Sequence, residues 1–198
     1  MILAKLKEAT RDQHEALENV VDVMNKTFSI DDYKELITKF YRFYSAIEPK
    51  LPAAELHTAG FDIEPRRKTP LLERDLEHLG VLANARNAPR WSDIPTLDSA
   101  AKAFGSIYVM EGATLGGQVI MRQLKENLGI TPENGGAFFN SYGPNVGPMW
   151  KAFGASVTAF AETVNDDESI VNTARETFDS FRRCFAEPFT KGMENTNN

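Results

Sequence analysis

Apolar positions recur at helical spacing along almost the whole chain. In the N-terminal stretch Leu3, Leu6, Thr10, Leu17, Val21 and Met24 fall on one stripe, which predicts a single amphipathic helix. The stretch SIDDYKELITKFYRFYSAIEPKL opens on Ser29 as an N-cap, carries acidic residues in its first turn and closes near Pro49. TPLLERDLEHLG starts with Thr69 before Pro70 and stops at Gly80, a matched start and stop signal. After the proline-rich loop NAPRWSDIPTLDS a long helix is predicted from about Ser99 to Leu128, ended by Gly129. NVGPMWKAFGASVTAFAETV and DDESIVNTARETFDSFRRCFAEPF supply two more helices, the second entered through Asp166 and Asp167. No segment alternates as a strand. The pattern predicts an all-α single domain over residues 1–192, with the polar end MENTNN, 193–198, fraying.

The long helix contains YVMEGATLGGQV, and its three interior glycines together forfeit about 2 to 3 kcal/mol against alanine. Gly112 and Gly116 share a face, with Tyr108 a turn earlier on it. Two readings fit: close approach of another helix, or a flat ligand lying against the helix backbone, where the glycines also permit a bend. His14 stands beside the apolar stripe of the first helix with Glu18 one turn on. A carboxylate there can hold one ring nitrogen and leave the other for a metal; the alternative is a core histidine paired with its neighbour. Lys7 lies two turns before His14, roughly 10 Å along the axis and nearly over it in projection. His57 falls in a loop-like stretch, and Asp75 with His78 forms a single D-x-x-H where a di-iron bundle needs two. Four-ligand zinc spacing is absent.

Composition narrows the classes. The 198 residues, 42% of them hydrophobic, suffice for one core. A net charge of -6 and a pI near 5.2 argue against general affinity for nucleic acid or an anionic membrane. The single cysteine, Cys184, forms no internal disulfide and has no base beside it in sequence, which suits a reducing compartment and disfavours a cysteine-nucleophile enzyme. No apolar run approaches the roughly 18 residues of a membrane span and the amino terminus has no signal-like apolar core, so a soluble cytoplasmic protein is expected.

Two motifs carry a resemblance. LKEATRDQHEALEN and YVMEGATLGGQV, in that order on an all-helical chain, resemble the proximal and distal helix signatures of the heme oxygenases, particularly the small bacterial, biliverdin-producing ones. The resemblance implies heme, as substrate and cofactor, held between a proximal N-terminal helix and a glycine-rich distal helix. Its cleavage with dioxygen and electrons yields biliverdin, carbon monoxide and ferrous iron. By the same resemblance His14 is the axial ligand of the heme iron and Glu18 its hydrogen-bonding partner. Gly112 and Gly116 are the distal glycines, Gly117 belongs with the substrate contacts, and Lys7 and Tyr108 hold the propionates. Phe178 and Phe185 of FDSFRRCF resemble the aromatic pair that walls the heme, although two phenylalanines two turns apart also suit a plain core. Lys151 and Arg182 are candidates for a further basic propionate contact. Ala113 stands where the animal enzymes carry an aspartate that orders proton-delivering water, and small bacterial members commonly lack it too. Glu111, about a quarter turn from Gly112, is a candidate for the proton path or a surface carboxylate. With no nucleotide fingerprint in the chain, a ferredoxin or reductase must supply electrons, and a biliverdin acceptor such as a bacterial phytochrome is a further expected partner. Ala113 keeps open the alternative of a non-catalytic heme-binding carrier or sensor on the same fold.

Overall fold

The computed structural model describes residues 1–21 and 29–187, and among these every regular element is helical. Met24 and the end of the chain from 188 on lie outside the described residues.

The N-terminal stripe is built on two helices, not one: α1, Ile2–Ala9, and α2, Arg11–Val21. They meet at Thr10, with φ -111 and ψ 10, whose amide and hydroxyl both donate to the Leu6 carbonyl, at 3.0 and 2.8 Å. A threonine that back-bonds in this way bends the chain. Leu6, Thr10 and Leu17 are buried and Leu3 and Val21 half-buried, so the stripe up to Val21 survives the bend. The projection of Lys7 over His14 does not, because the two residues sit on different axes.

α3, Ile30–Ile47, starts in the expected place, with a full capping box: Ser29 Oγ accepts from the Asp32 amide at 3.1 Å and the Asp32 carboxylate accepts from the Ser29 amide at 3.0 Å. It carries Tyr33, Phe40, Phe43 and Tyr44 into the core, where the Phe43 ring stacks on Phe181 at 4.2 Å. α4, Ala53–Thr58, makes the His57 region a short helix, not a loop, with Leu56 buried and His57 exposed. α5, Thr69–His78, is capped from outside: the buried Glu48 carboxylate accepts the amides of Lys68 at 2.5 Å and Thr69 at 3.2 Å. Gly80, at φ 72, turns the chain into α6, Leu82–Asn87.

The helix expected across 99–128 is helical throughout but broken. α7, Ala100–Gly112, passes through a 3-10 segment, Ala113–Gly116, into α8, Gly117–Leu128, which ends at Gly129 with φ 67. The short α9, Ala137–Asn140, leads to α10, Val146–Val164, and then to α11, Asp167–Ala186, whose N-cap Asp166 accepts from the Ser169 amide. α11 is the spine, since α1, α2, α3 and α7 all lie on it. Its crossing with α7 is tight at Gly105, where a Cβ would collide with the Ile170 carbonyl oxygen. No helix among the described residues is long and apolar enough to cross a membrane.

Candidate functional site

The distal glycines can now be sorted by what surrounds them. Gly112, Gly116 and Gly117 all have right-handed helical backbones, at φ -58, -79 and -57, so none is required for a left-handed turn. Space decides instead. A Cβ on Gly117 would collide with the Phe139 carbonyl oxygen, which makes that glycine a packing contact and turns its side-chain position away from the ligand face proposed for it. Among the described residues, a Cβ on Gly112 would meet only the Trp150 ring, at 4.0 Å, and one on Gly116 would meet nothing within 4 Å. Leu115 and Val119 beside them are 46% and 48% exposed. Gly112, Leu115, Gly116 and Val119 fall at i, i+3, i+4 and i+7, so the open face of the break is small and apolar where an ordinary outer face is charged.

His14 is not a core histidine. Its side chain is 56% exposed, with Nε2 3.6 Å from Glu18 Oε1, and its ring meets the edge of Phe178 at 5.7 Å between centroids. One ring nitrogen thus faces a carboxylate, the arrangement that orients a metal-binding imidazole. Of the two aromatic candidates only Phe178 touches this ring. Phe185 belongs to the core cluster, 4.8 Å from Phe40 and 5.0 Å from Phe181. Tyr108 packs beside Trp150 at 5.8 Å; burial raises its hydroxyl pKa above the usual value, and a hydrogen bond with Thr10 opposes that. It therefore joins α7 to the bend between α1 and α2. Lys7 is exposed and enters no ion pair among the described residues. Lys151 lies on an open groove of about 560 Å³ between α1 and α10, and Arg182 sits 3.9 Å from Asp179.

Glu111 is not on the surface. It is buried, with Oε2 accepting from Arg66 Nη1 at 2.5 Å and Oε1 accepting from the Tyr142 hydroxyl at 2.6 Å. Lys68, also buried, places Nζ 3.9 Å from Glu111 Oε1 and 3.7 Å from the centre of the Tyr142 ring. Burial pushes the Lys68 pKa down to about 8, against the pull of Glu111 and Glu48, and keeps the Tyr142 hydroxyl protonated well beyond its ordinary range. Arg66, Tyr142 and Trp150 are the residues that motif reasoning missed; nothing local in the sequence links them to Glu111 or Gly112.

Other chemistries find no support. Asp75, the acid of the D-x-x-H, accepts the amides of Ala137 and Phe138 at 2.8 Å each and is committed to structure. Cys184 is buried and its pKa is pushed up to about 12, so no thiolate is at hand. Among the described residues no three His, Cys, Asp or Glu side chains gather to hold a metal ion.

A family model described as Heme oxygenase matches residues 1–187. A curated heme oxygenase from Xanthomonas campestris pv. campestris (strain 8004) is 32% identical over 96 residues, which cover 48% of this chain and 54% of that protein, so the match spans about half of the relative's length. In fold, the chain is similar to the NO- and CO-bound heme oxygenase from Neisseria meningitidis, with a TM-score of 0.77 at 22% identity, covering 98% of this chain and 99% of that one. It is also similar to the heme oxygenase from Leptospira interrogans, with a TM-score of 0.71 at 14% identity, covering 93% and 98%. These likenesses establish the all-α fold, and the family match, which runs through both motif helices to the end of α11, establishes kinship: the chain belongs to the heme oxygenase family.

Proposed function

We propose that this protein seats heme between α2 and the 113–116 break and cleaves it, with dioxygen and externally supplied electrons, to biliverdin, carbon monoxide and ferrous iron. The observation that carries the reading is the pairing of an exposed His14, steered by Glu18, with two distal glycines whose side-chain positions are open. His14 offers a neutral nitrogen to the iron and Glu18 selects the tautomer. The peptide groups at Gly112 and Gly116 can lie directly against the substrate and offer neutral donors where a bulky acid would intrude. Phe178 walls the ligand side, and Lys7 and Tyr108 grip the propionates, which fixes the rotation of the ring and hence the edge presented for oxygenation. The iron supplies the dioxygen chemistry and the protein supplies seating and orientation. A ferredoxin or reductase serves as electron donor, and a protein of the bacterial phytochrome kind is a suitable product acceptor.

The test is a heme titration followed by dioxygen and a reducing system. The parent should show an imidazole-ligated spectrum and then the absorbance of a verdin. His14→Ala should lose both, with added imidazole restoring the ligated spectrum. Binding without verdin formation in the parent would favour the carrier reading, and an unchanged spectrum in His14→Ala would place the ligand elsewhere.

A further inference from the structure

The 113–116 break is flanked on both sides by contacts to one short segment, 137–143. On the α7 side the Tyr142 hydroxyl donates to Glu111 Oε1 at 2.6 Å, and Glu111 is the residue immediately before Gly112. On the α8 side Gly117 lies against the Phe139 carbonyl with no room for a Cβ, and Gln118 Nε2 donates to the carbonyls of Asn140 and Gly143, both at 3.4 Å. The segment is itself anchored, since Asp75 accepts the amides of Ala137 and Phe138. Its turn is strained: Ser141 holds φ 46 and ψ -112, and its hydroxyl is buried without a hydrogen-bond partner among the described residues. Such a conformation in a residue other than glycine persists only where its surroundings over-determine it. Arg66 carries the same network to α10, because Nη1 also donates to the Met149 carbonyl at 3.3 Å, one residue before the ring that lies nearest the side-chain position of Gly112.

We infer that segment 137–143 is a bracket that fixes the bend of the distal helix. Glu111, Tyr142 and Gly117 are positioning residues: they touch no substrate and set where Gly112 and Gly116 stand above it. The inference rests on the reading of α2 and the break as the two sides of the heme slot. Catalysis by orientation makes such placement consequential, since a displacement of about 1 Å at a reacting centre costs on the order of a hundredfold in rate.

Tyr142→Phe tests this with the least disturbance. It removes one hydroxyl, keeps the ring beneath Lys68 Nζ and leaves Glu111 paired with Arg66, so the variant should fold. In the apoprotein, amide hydrogen exchange over 112–118 should quicken by about tenfold while α3 and α5 keep the parent's rates. With heme, affinity should stay within about threefold and the His14-ligated spectrum should persist, while the cleavage rate falls about tenfold through kcat and not KM. Gly117→Ala should shift the same amides further. Parental exchange at 112–118 in both variants overturns the bracket, and so does an increase spread evenly over α3 and α5, which marks plain destabilisation. The exchange measurement needs no heme: a parent that fails to cleave heme would sink the functional reading while the exchange rates still decide the bracket.

Discussion

A methyl group added at Gly116 would meet nothing within 4 Å among the described residues, whereas one added at Gly105 would be driven into the Ile170 carbonyl, although both glycines sit in helical backbone. The second is there for a neighbouring helix, and the first, on the function proposed above, for a ligand. Gly116→Ala should therefore fold at least as well as the parent, gaining roughly 0.5 to 1 kcal/mol from reduced chain entropy. Gly116→Leu should also keep the parent's helicity by circular dichroism, but on the proposed reading its side chain would occupy the heme slot, and the rate of verdin formation should fall by about tenfold or more, a rise of about 1.4 kcal/mol in the effective barrier. The parent's rate in the leucine variant would show that the open face has no part in seating the substrate. The residue scale was also where sequence spoke most clearly. His14 with Glu18, and Gly112 with Gly116, lie in two local motifs whose spacing sets which side chains share a face, so the proximity of His14 to Glu18 needed no knowledge of the rest of the chain, whereas the role of each motif came from the family resemblance.

Helix termini were as legible as the motifs, because their chemistry is local: Ser29 with Asp32, Gly129 in its left-handed turn and Asp166 before α11 all act within four residues. The bend at Thr10 was hidden, since a threonine that back-bonds to Leu6 reads the same as one that continues the helix. The helices α4 and α6, six residues each, and α9, four residues, are too short for a period of 3.6 to show. The break at 113–116 was marked by glycines, yet its 3-10 form depends on the bracket from 137–143. At the crossing of α7 with α11, Gly105→Ala should cost about 1 to 3 kcal/mol through overpacking against backbone that cannot swing aside. A thermal melt should show a drop of roughly 3 to 10 °C. A melt equal to the parent's would mean that the two helices separate there at little cost.

The network around Glu111 belongs to the molecule as a whole, for it joins residues 45 and 31 positions away in sequence, beyond the reach of any periodicity. Its buried lysine gives the fold a titration that can be measured. Lys68 is 3% exposed, and burial lowers its pKa from 10.5 to about 8 in the folded state, while the unfolded chain keeps the ordinary value. Between these limits the unfolded state binds more protons than the folded one, so the contribution of Lys68 to stability rises with pH from about 8 to about 10.5. The full rise is about 3 kcal/mol at 1.36 kcal/mol per unit of pKa. The opposite sign holds for Tyr33, Tyr44 and Tyr142, whose buried hydroxyls titrate far above 10: they contribute stability below that pH and lose it as the pH rises beyond. Comparison with Lys68→Met isolates the lysine, because the tyrosines act in both proteins. Whatever the offset between the two melting temperatures at pH 7, the parent should gain on the variant between pH 8 and 10, and the difference should level off near 10.5. A constant offset over that range would mean that Lys68 reaches water and that the network behind the distal glycines is wetter than its burial indicates.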